Sequence, residues 1–388
     1  MHRKHLLLPL LAIRPAAPQS LANILASQND TLSVLNSFLS QEQAFLETVA
    51  NTSDITVLAP SNAALSSLPQ SVVDRVDSDP HFLGALLNYH VLNGTYYAAG
   101  LATGGPHQLL RTLLADAPPY AAVPGGQRVV AAADGADGSV SLRSGLQRTA
   151  RVQLADYNFT GGTVHIVDSL LTVPANLSET LLVGGYTAAV GALRQGGLAD
   201  VLDADGAPLT VLVPSNAGFA AVGSLVADMS AEDLQLVLGY HVVQGRALYA
   251  AMLADGEGVQ TLQGGDVTFR REDGGVFVNG ARVLVEDVLV ANGVVHIIDN
   301  ILNPLSPKAT PDPTLSTQPP AFSGASSTGG IPFTTGVTVP PTDPATSLTP
   351  TTRTSSASPD ITGAAAPMKT GAAGVAAMVG GAAAMWNL

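Results

Sequence analysis

Three short segments of this chain occur twice, in the same order. Thr56-Val57-Leu58-Ala59-Pro60-Ser61-Asn62-Ala63 returns as Thr210-Val211-Leu212-Val213-Pro214-Ser215-Asn216-Ala217. Leu87-Asn88-Tyr89-His90-Val91 returns as Leu238-Gly239-Tyr240-His241-Val242, and Gly162-Thr163-Val164-His165-Ile166-Val167-Asp168 as Gly293-Val294-Val295-His296-Ile297-Ile298-Asp299. Such a duplication requires two copies of one folding unit, because each copy has the same apolar pattern to bury. The copies are 154 residues apart at Thr56, 151 at Leu87 and 131 at Gly162, so the first is the longer between its last two landmarks. The Gly/Pro/Ala-rich stretch 115–126 is the expected insertion, placed in a surface loop. Units of this length are domains, not solenoid repeats, and the boundary falls near Pro174 to Ser178.

Within a unit the periodicity changes. Leu32, Leu35, Phe38, Leu39 and Phe45 follow helical spacing. Thr56 to Ala59 is a short strand stopped by Pro60, with Ser61 or Asn62 to cap a following turn. Asp79-Pro80 reads as an N-cap and first helical residue before Leu83, Leu86 and Leu87. Ser230-Ala231-Glu232-Asp233 reads as the corresponding capping-box start in the second copy. The later half of each unit turns to strands: Val267 to Arg270, Val276 to Val278 and Arg282 to Val285, with a hairpin at Asn279-Gly280. The expected class is α+β, with helices first and a mostly antiparallel sheet after.

Charge excludes several functions. Between Ser20 and Pro304 there are no lysines, 11 arginines and 27 acids. Nucleic acid is therefore not an expected partner, since phosphate binding needs clustered positive charge. P-loop and Schiff-base lysines are ruled out of this stretch. The chain has no cysteine, which removes disulfides, thiolate metal sites and cysteine nucleophiles. There is no Gly-x-Ser-x-Gly, His-Glu-x-x-His or Gly-x-Gly-x-x-Gly. Acid pairs such as Glu232-Asp233 and Glu286-Asp287 are adjacent and point to different faces. Neither an enzymatic activity nor a cofactor is expected.

The two ends read as addresses. Met1 to Ile13 is a basic start followed by an apolar run, so residues 1–17 are expected to be a secretory signal peptide. Residues 305–362 contain 34 Ser, Thr or Pro in 58 positions and five charges, the composition of an extended O-glycosylated stalk. Residues 363–388 end in an uncharged Ala/Gly-rich tail, the grammar of a GPI-anchor signal, with attachment expected at Ser356 or Gly363. Asn-x-Ser/Thr sequons stand at Asn29, Asn51, Asn93, Asn158 and Asn176.

Taken together, the Pro-Ser-Asn segment, the Tyr-His pair and the Gly-x-Val-His-Ile-x-Asp segment, in order and twice, resemble the fasciclin domain. The resemblance covers about Ser20 to Pro304 and implies two tandem domains, 20–174 and 178–304, each a twisted β-sheet wedge with helices packed around it. In the first copy Leu65 replaces the usual aromatic that Phe219 keeps, and Asn62 and Asn216 stand where many members have Asp. The resemblance also implies extracellular adhesion, often with GPI anchoring and glycosylation.

Candidate contacts follow from the same likeness. It links the Tyr89-His90 and Tyr240-His241 region to receptor binding, whereas the residues themselves favour buried imidazoles that hydrogen-bond backbone at a helix–strand junction. The family's Asp-Ile adhesion pair falls on Asp156-Tyr157 and Asp287-Val288, where the isoleucine is absent from both copies. His165 and His296 alternate with Val and Ile in a strand, with no carboxylate at ligand spacing, so no metal is expected there. Asp168 and Asp299 are expected to turn the strand end. The acidic turns at Asp203-Ala204-Asp205-Gly206 and Asp134 to Gly138 lack the oxygen spacing of a calcium loop.

The expected function is that of a cell-surface adhesion or matrix- or wall-binding glycoprotein. Its partners would be a surface, matrix or wall glycan or protein, homophilic contact included, with the membrane met through a lipid anchor. An extracellular polysaccharide-acting enzyme and a passive structural component are the alternatives. The sequence leaves the ligand unnamed.

Overall fold

The computed structural model describes residues 19–339, apart from Pro106, Asp116, 135–137, Asp205 and 273–274. The signal peptide expected at 1–17, the tail 363–388 and both anchor positions lie outside the described residues.

Two seven-stranded sheets account for the duplication. The first contains β1 (Ile55–Pro60), β2 (Val91–Asn93), β3 (Gln108–Arg111), β4 (Arg128–Asp134), β5 (Ser139–Arg143), β6 (Thr149–Phe159) and β7 (Gly162–Val167) in the order β2-β1-β7-β6-β5-β4-β3. The second contains β8 (Leu209–Pro214), β9 (Val242–Gln244), β10 (Gly258–Gln260), β11 (Asp266–Glu272), β12 (Gly275–Val278), β13 (Ala281–Val290) and β14 (Gly293–Ile298) in the equivalent order, β9-β8-β14-β13-β12-β11-β10. In each, one parallel pair, β1 with β7 or β8 with β14, sits among antiparallel neighbours. The fold is α+β, as expected.

The repeated residues place these pairs. Gly162 faces Ile55 and Gly293 faces Leu209 at the start of the parallel ladder. A Cβ at either glycine would overlap the carbonyl oxygen of its partner, so no other residue lets the strands meet there. Ser61 Oγ accepts from Ala64 N at 3.2 Å and Ser215 Oγ from Gly218 N at 3.1 Å, each capping a short helix. The neighbouring Asn62 and Asn216 reach further. Asn62 Oδ1 accepts from Val34 N, and Asn216 Oδ1 from Ala188 N, which ties the helix before the strand to the helix after it.

Each sheet has apolar clusters built from its own copy. One cluster of the first domain joins Leu25, Leu32 and Leu35 to Val57 and Ile166; the other joins Phe82, Tyr89 and Leu92 to Val129 and Leu142. Three local expectations need correction. The helix expected to begin at Pro80 begins at Phe82 (Phe82–Tyr89), and Asp79 Oδ1 accepts from His81 N in a turn before it. Ser230 does cap Ala231–Gly239, through Asp233 N.

The insertion 115–126 is not a bare surface loop. Tyr120, Ala121 and Val123 are buried, and Ala122 N donates to Ala291 O of the second domain at 3.0 Å. Tyr120 and Ala121 pack in the first domain's own cluster with Phe82, Leu86 and Tyr89, and the second domain meets the stretch at Ala122.

The third correction concerns residues 305–339, which composition assigned to an unpacked stalk. They lie along the second domain as a strap. Gln318 is buried; its N donates to Asp299 Oδ2 at 2.8 Å and its carbonyl accepts from Asn300 Nδ2 at 2.7 Å. Phe333 meets Phe219 edge-on at 5.9 Å, and Phe322, Ala325 and Val337 pack on the same core. Gly191 makes room: a Cβ there would overlap Phe333 O. A few apolar side chains, anchored by backbone hydrogen bonds, offset the ordering cost that the composition alone predicts to prevail.

Candidate functional site

The Tyr-His pairs are structural in geometry. Helix Phe82–Tyr89 ends where His90 begins the turn into β2, and helix Ala231–Gly239 ends before Tyr240 and His241. His90 Nδ1 donates to Leu86 O at 2.8 Å, and its Nε2 accepts from Leu171 N at 2.9 Å. His241 repeats this with Val237 O at 2.8 Å and Leu302 N at 2.8 Å. Each ring is thus a neutral Nδ1–H tautomer that closes a helix and holds the segment after the last strand. Burial pushes both imidazoles down to about 4, against the opposing pull of the Leu86 and Val237 carbonyls. The tyrosines are equally committed: Tyr89 OH donates to Arg128 O at 2.8 Å and Tyr240 OH to Asp266 O at 2.7 Å. All four side chains are buried, and none is open to a receptor.

His165 and His296 form a second matched set. Nε2 of His165 donates to Tyr96 O at 2.7 Å, and Nε2 of His296 to Leu248 O at 2.8 Å. Their Nδ1 atoms accept from the backbone N of Asp156 at 3.2 Å and of Asp287 at 3.4 Å. Burial lowers the pKa of His165, while the Tyr96 carbonyl and the Asp156 carboxylate act the other way. Asp156 and Asp287 stand at positive φ, 64° and 56°, in register shifts of β6 and β13. There a bulge turns the carboxylate toward the start of the short helix that follows β2 or β9, Ala98–Thr103 or Ala250–Met252. Asp156 Oδ1 accepts from Ala98 N at 3.0 Å, and Asp287 Oδ1 from Ala250 N at 2.7 Å. Asp168 and Asp299 do the same at the far end of the ladder, accepting from Arg151 N and Arg282 N.

The two copies of the Asp pair then part company. Asp156 is exposed and Tyr157 half-buried, whereas Asp287 and Val288 are buried. The cover over Asp287 is the first domain. Tyr249, Leu289 and Val294 pack against Val130, and Leu109 and Ala247 join them. Gln127 Nε2 donates to Ala291 O at 2.8 Å and Val290 O at 3.1 Å, and Ala291 N donates to Ala175 O at 2.8 Å. The Arg128 guanidinium lies 5.8 Å from the centre of the Tyr249 ring.

Charge concentrates at this junction. Ligand atoms of His107, Glu286 and Asp287 lie within 4.8 Å of one another. Arg143 stands among them, its Nη2 3.1 Å from His107 Nδ1 and its charge set against Asp287 and Glu286. A guanidinium therefore supplies the positive charge that a cation would bring. Asp287 Oδ2, Arg143 Nε and the Tyr249 hydroxyl are buried without a hydrogen-bond partner among the described residues, a set of donors and acceptor suited to ordered water. Sequence reasoning missed this junction. Its signal was the insertion before β4, which exists in one copy only.

Comparison with known proteins follows the same division. The model of the fasciclin domain family matches residues 30–174 and 184–304. A fasciclin-like arabinogalactan protein of Arthroderma benhamiae is 30% identical over 318 residues, spanning 81% of this chain and 74% of that protein. Another, from Phaeosphaeria nodorum, is 30% identical over 299 residues, spanning 76% and 91%. Among solved structures, a FAS1 domain pair from the insect cell adhesion molecule Fasciclin I shares 19% identity, with 67% of this chain and 92% of that one covered and a TM-score of 0.34. Each matched region contains one of the two sheets, and the chain belongs to the fasciclin-domain family.

Proposed function

We propose that the chain is a secreted, glycosylated cell-surface protein that binds a glycan or protein of the matrix or wall and is held at the membrane by a GPI anchor. Fasciclin domains serve adhesion and wall or matrix association and are not enzymes. The main support is how the landmark side chains are used. His90, His241, His165 and His296 all spend both ring nitrogens on backbone groups, in the same way in each copy. Recognition therefore belongs to the outer surface of the pair and not to a catalytic cleft. Asp156 and Tyr157 remain in the proposal as contact residues. The relatives' description as arabinogalactan proteins favours a wall glycan as the partner class.

The test is binding of the secreted 19–339 fragment to a plant and fungal glycan array and to intact cells. Binding that drops on Asp156→Ala is expected. A fragment that binds neither would leave a passive structural role. Phosphatidylinositol-specific phospholipase C should release the full chain from cells, and an undiminished surface signal would sink the anchor.

A further inference from the structure

The duplication lets one domain show what the other lacks. In the second copy Tyr249, Asp287 and Leu289 form the face that docks on the first domain. Their counterparts are fixed by matching contacts. Asp156 binds Ala98 N as Asp287 binds Ala250 N. Tyr97 precedes Ala98 as Tyr249 precedes Ala250. Asn158 pairs with Thr163 as Leu289 pairs with Val294. All three positions are buried in the second copy and open in the first. Tyr249 is 1% exposed and Tyr97 49%; Leu289 is buried and Asn158 exposed.

A docking face left bare on a repeated module is a hazard, because a head-to-tail contact that does not close continues without limit. The far side of the pair is guarded by charge. Tyr89 OH marks Arg128 as part of the accepting surface, and Tyr240 OH marks the exposed Asp266 as its counterpart. In the internal interface the Arg128 guanidinium meets the Tyr249 ring; Tyr97 in the same place would meet a carboxylate. The near side has a different device: where the docked copy has Leu289, the bare copy has Asn158-Phe159-Thr160, a sequon on the exposed end of β6.

We propose that Asn158 is N-glycosylated and that its glycan covers the first domain's copy of the docking face, ending the stack at two domains. The inference rests on the secretory part of the proposed function. A branched, hydrated sugar in the place of Leu289 excludes the apolar contact that Val130 makes in the internal interface.

The test uses two proteins made in one eukaryotic secretory host. The first is the full chain. The second is the probe, residues 19–174, which has a complete sheet and two apolar clusters made only of its own residues, and whose Arg128–Val130 side is uncovered. Glycopeptide mass spectrometry should find sugar on Asn158. The wild-type chain should not bind the probe in a sedimentation or biosensor assay. Asn158→Leu, which removes the sequon and restores the leucine, should bind at least tenfold tighter. Thr160→Ala, which removes the sugar and keeps Asn158 but also loses the Thr160 Oγ1 bond to Gln19 O, should fall between them. Arg128→Glu in the probe should abolish the gain. Sugar on Asn29, Asn51, Asn93 or Asn176 with none on Asn158 overturns the inference and leaves the secretory reading standing. Equal probe binding by wild type, Thr160→Ala and Asn158→Leu overturns it as well. Sugar on none of the five overturns both.

Discussion

The buried imidazoles set how the folded chain responds to acid. His90 and His241 titrate near the ordinary 6.5 when unfolded and at about 4 when folded. Above pH 6.5 both states hold the rings neutral, and the stability they allow is fully present. As pH falls from 6.5 toward 4, the unfolded chain takes up protons first, so stability drops, by about 3 kcal/mol per ring. A melting temperature recorded across this range should fall steeply, and His241→Ala should flatten part of the slope. At neutral pH the same substitution strands Leu302 N and takes one of two donors from Val237 O, which keeps Tyr240 N, and should cost about 2–4 kcal/mol. Unchanged melting with lost adhesion would place His241 at a binding surface instead. These rings were legible in the sequence: a His among Leu and Val at the end of an apolar helix has to find backbone partners. Their tautomers were not, since Leu171 and Leu302 lie far along the chain.

At the scale of elements, the repeats made most of both sheets legible, because strand alternation, the Asn279-Gly280 hairpin and the Ser caps are all local signals. The strap was not. Phe322, Phe333 and Val337 are scattered among Ser, Thr and Pro, and composition averages over the few side chains that bind. Gly191 is the informative residue, yet a glycine inside helix Thr187–Gln195 reads from sequence as a mere weakness. Gly191→Ala should gain helix propensity and still lose stability, by about 1–3 kcal/mol, through collision with Phe333. Limited proteolysis should then cut within 305–339 where the wild type resists. A more stable variant with an uncut strap would refute this packing.

In the molecule as a whole, two domains of one design are joined by features that only one copy has. Gln127 follows the insertion and bonds two carbonyls of the partner domain. Gln127→Ala should take a donor from each of those carbonyls, with Ala122 N still on Ala291 O, and separate one calorimetric transition into two, whereas a single cooperative transition would place the coupling elsewhere. The strap has a mechanical consequence. Tension applied at the C-terminus reaches Phe333 and Gln318 before it reaches any strand of β8–β14, so the strap peels first. Thirty-five residues released at ~3.3 Å each yield up to roughly 115 Å of chain. Optical tweezers should record that extension as a low-force step preceding domain rupture, and Gly191→Ala should erase it. Pulled from this end, the chain yields to a sudden load before its domains are strained.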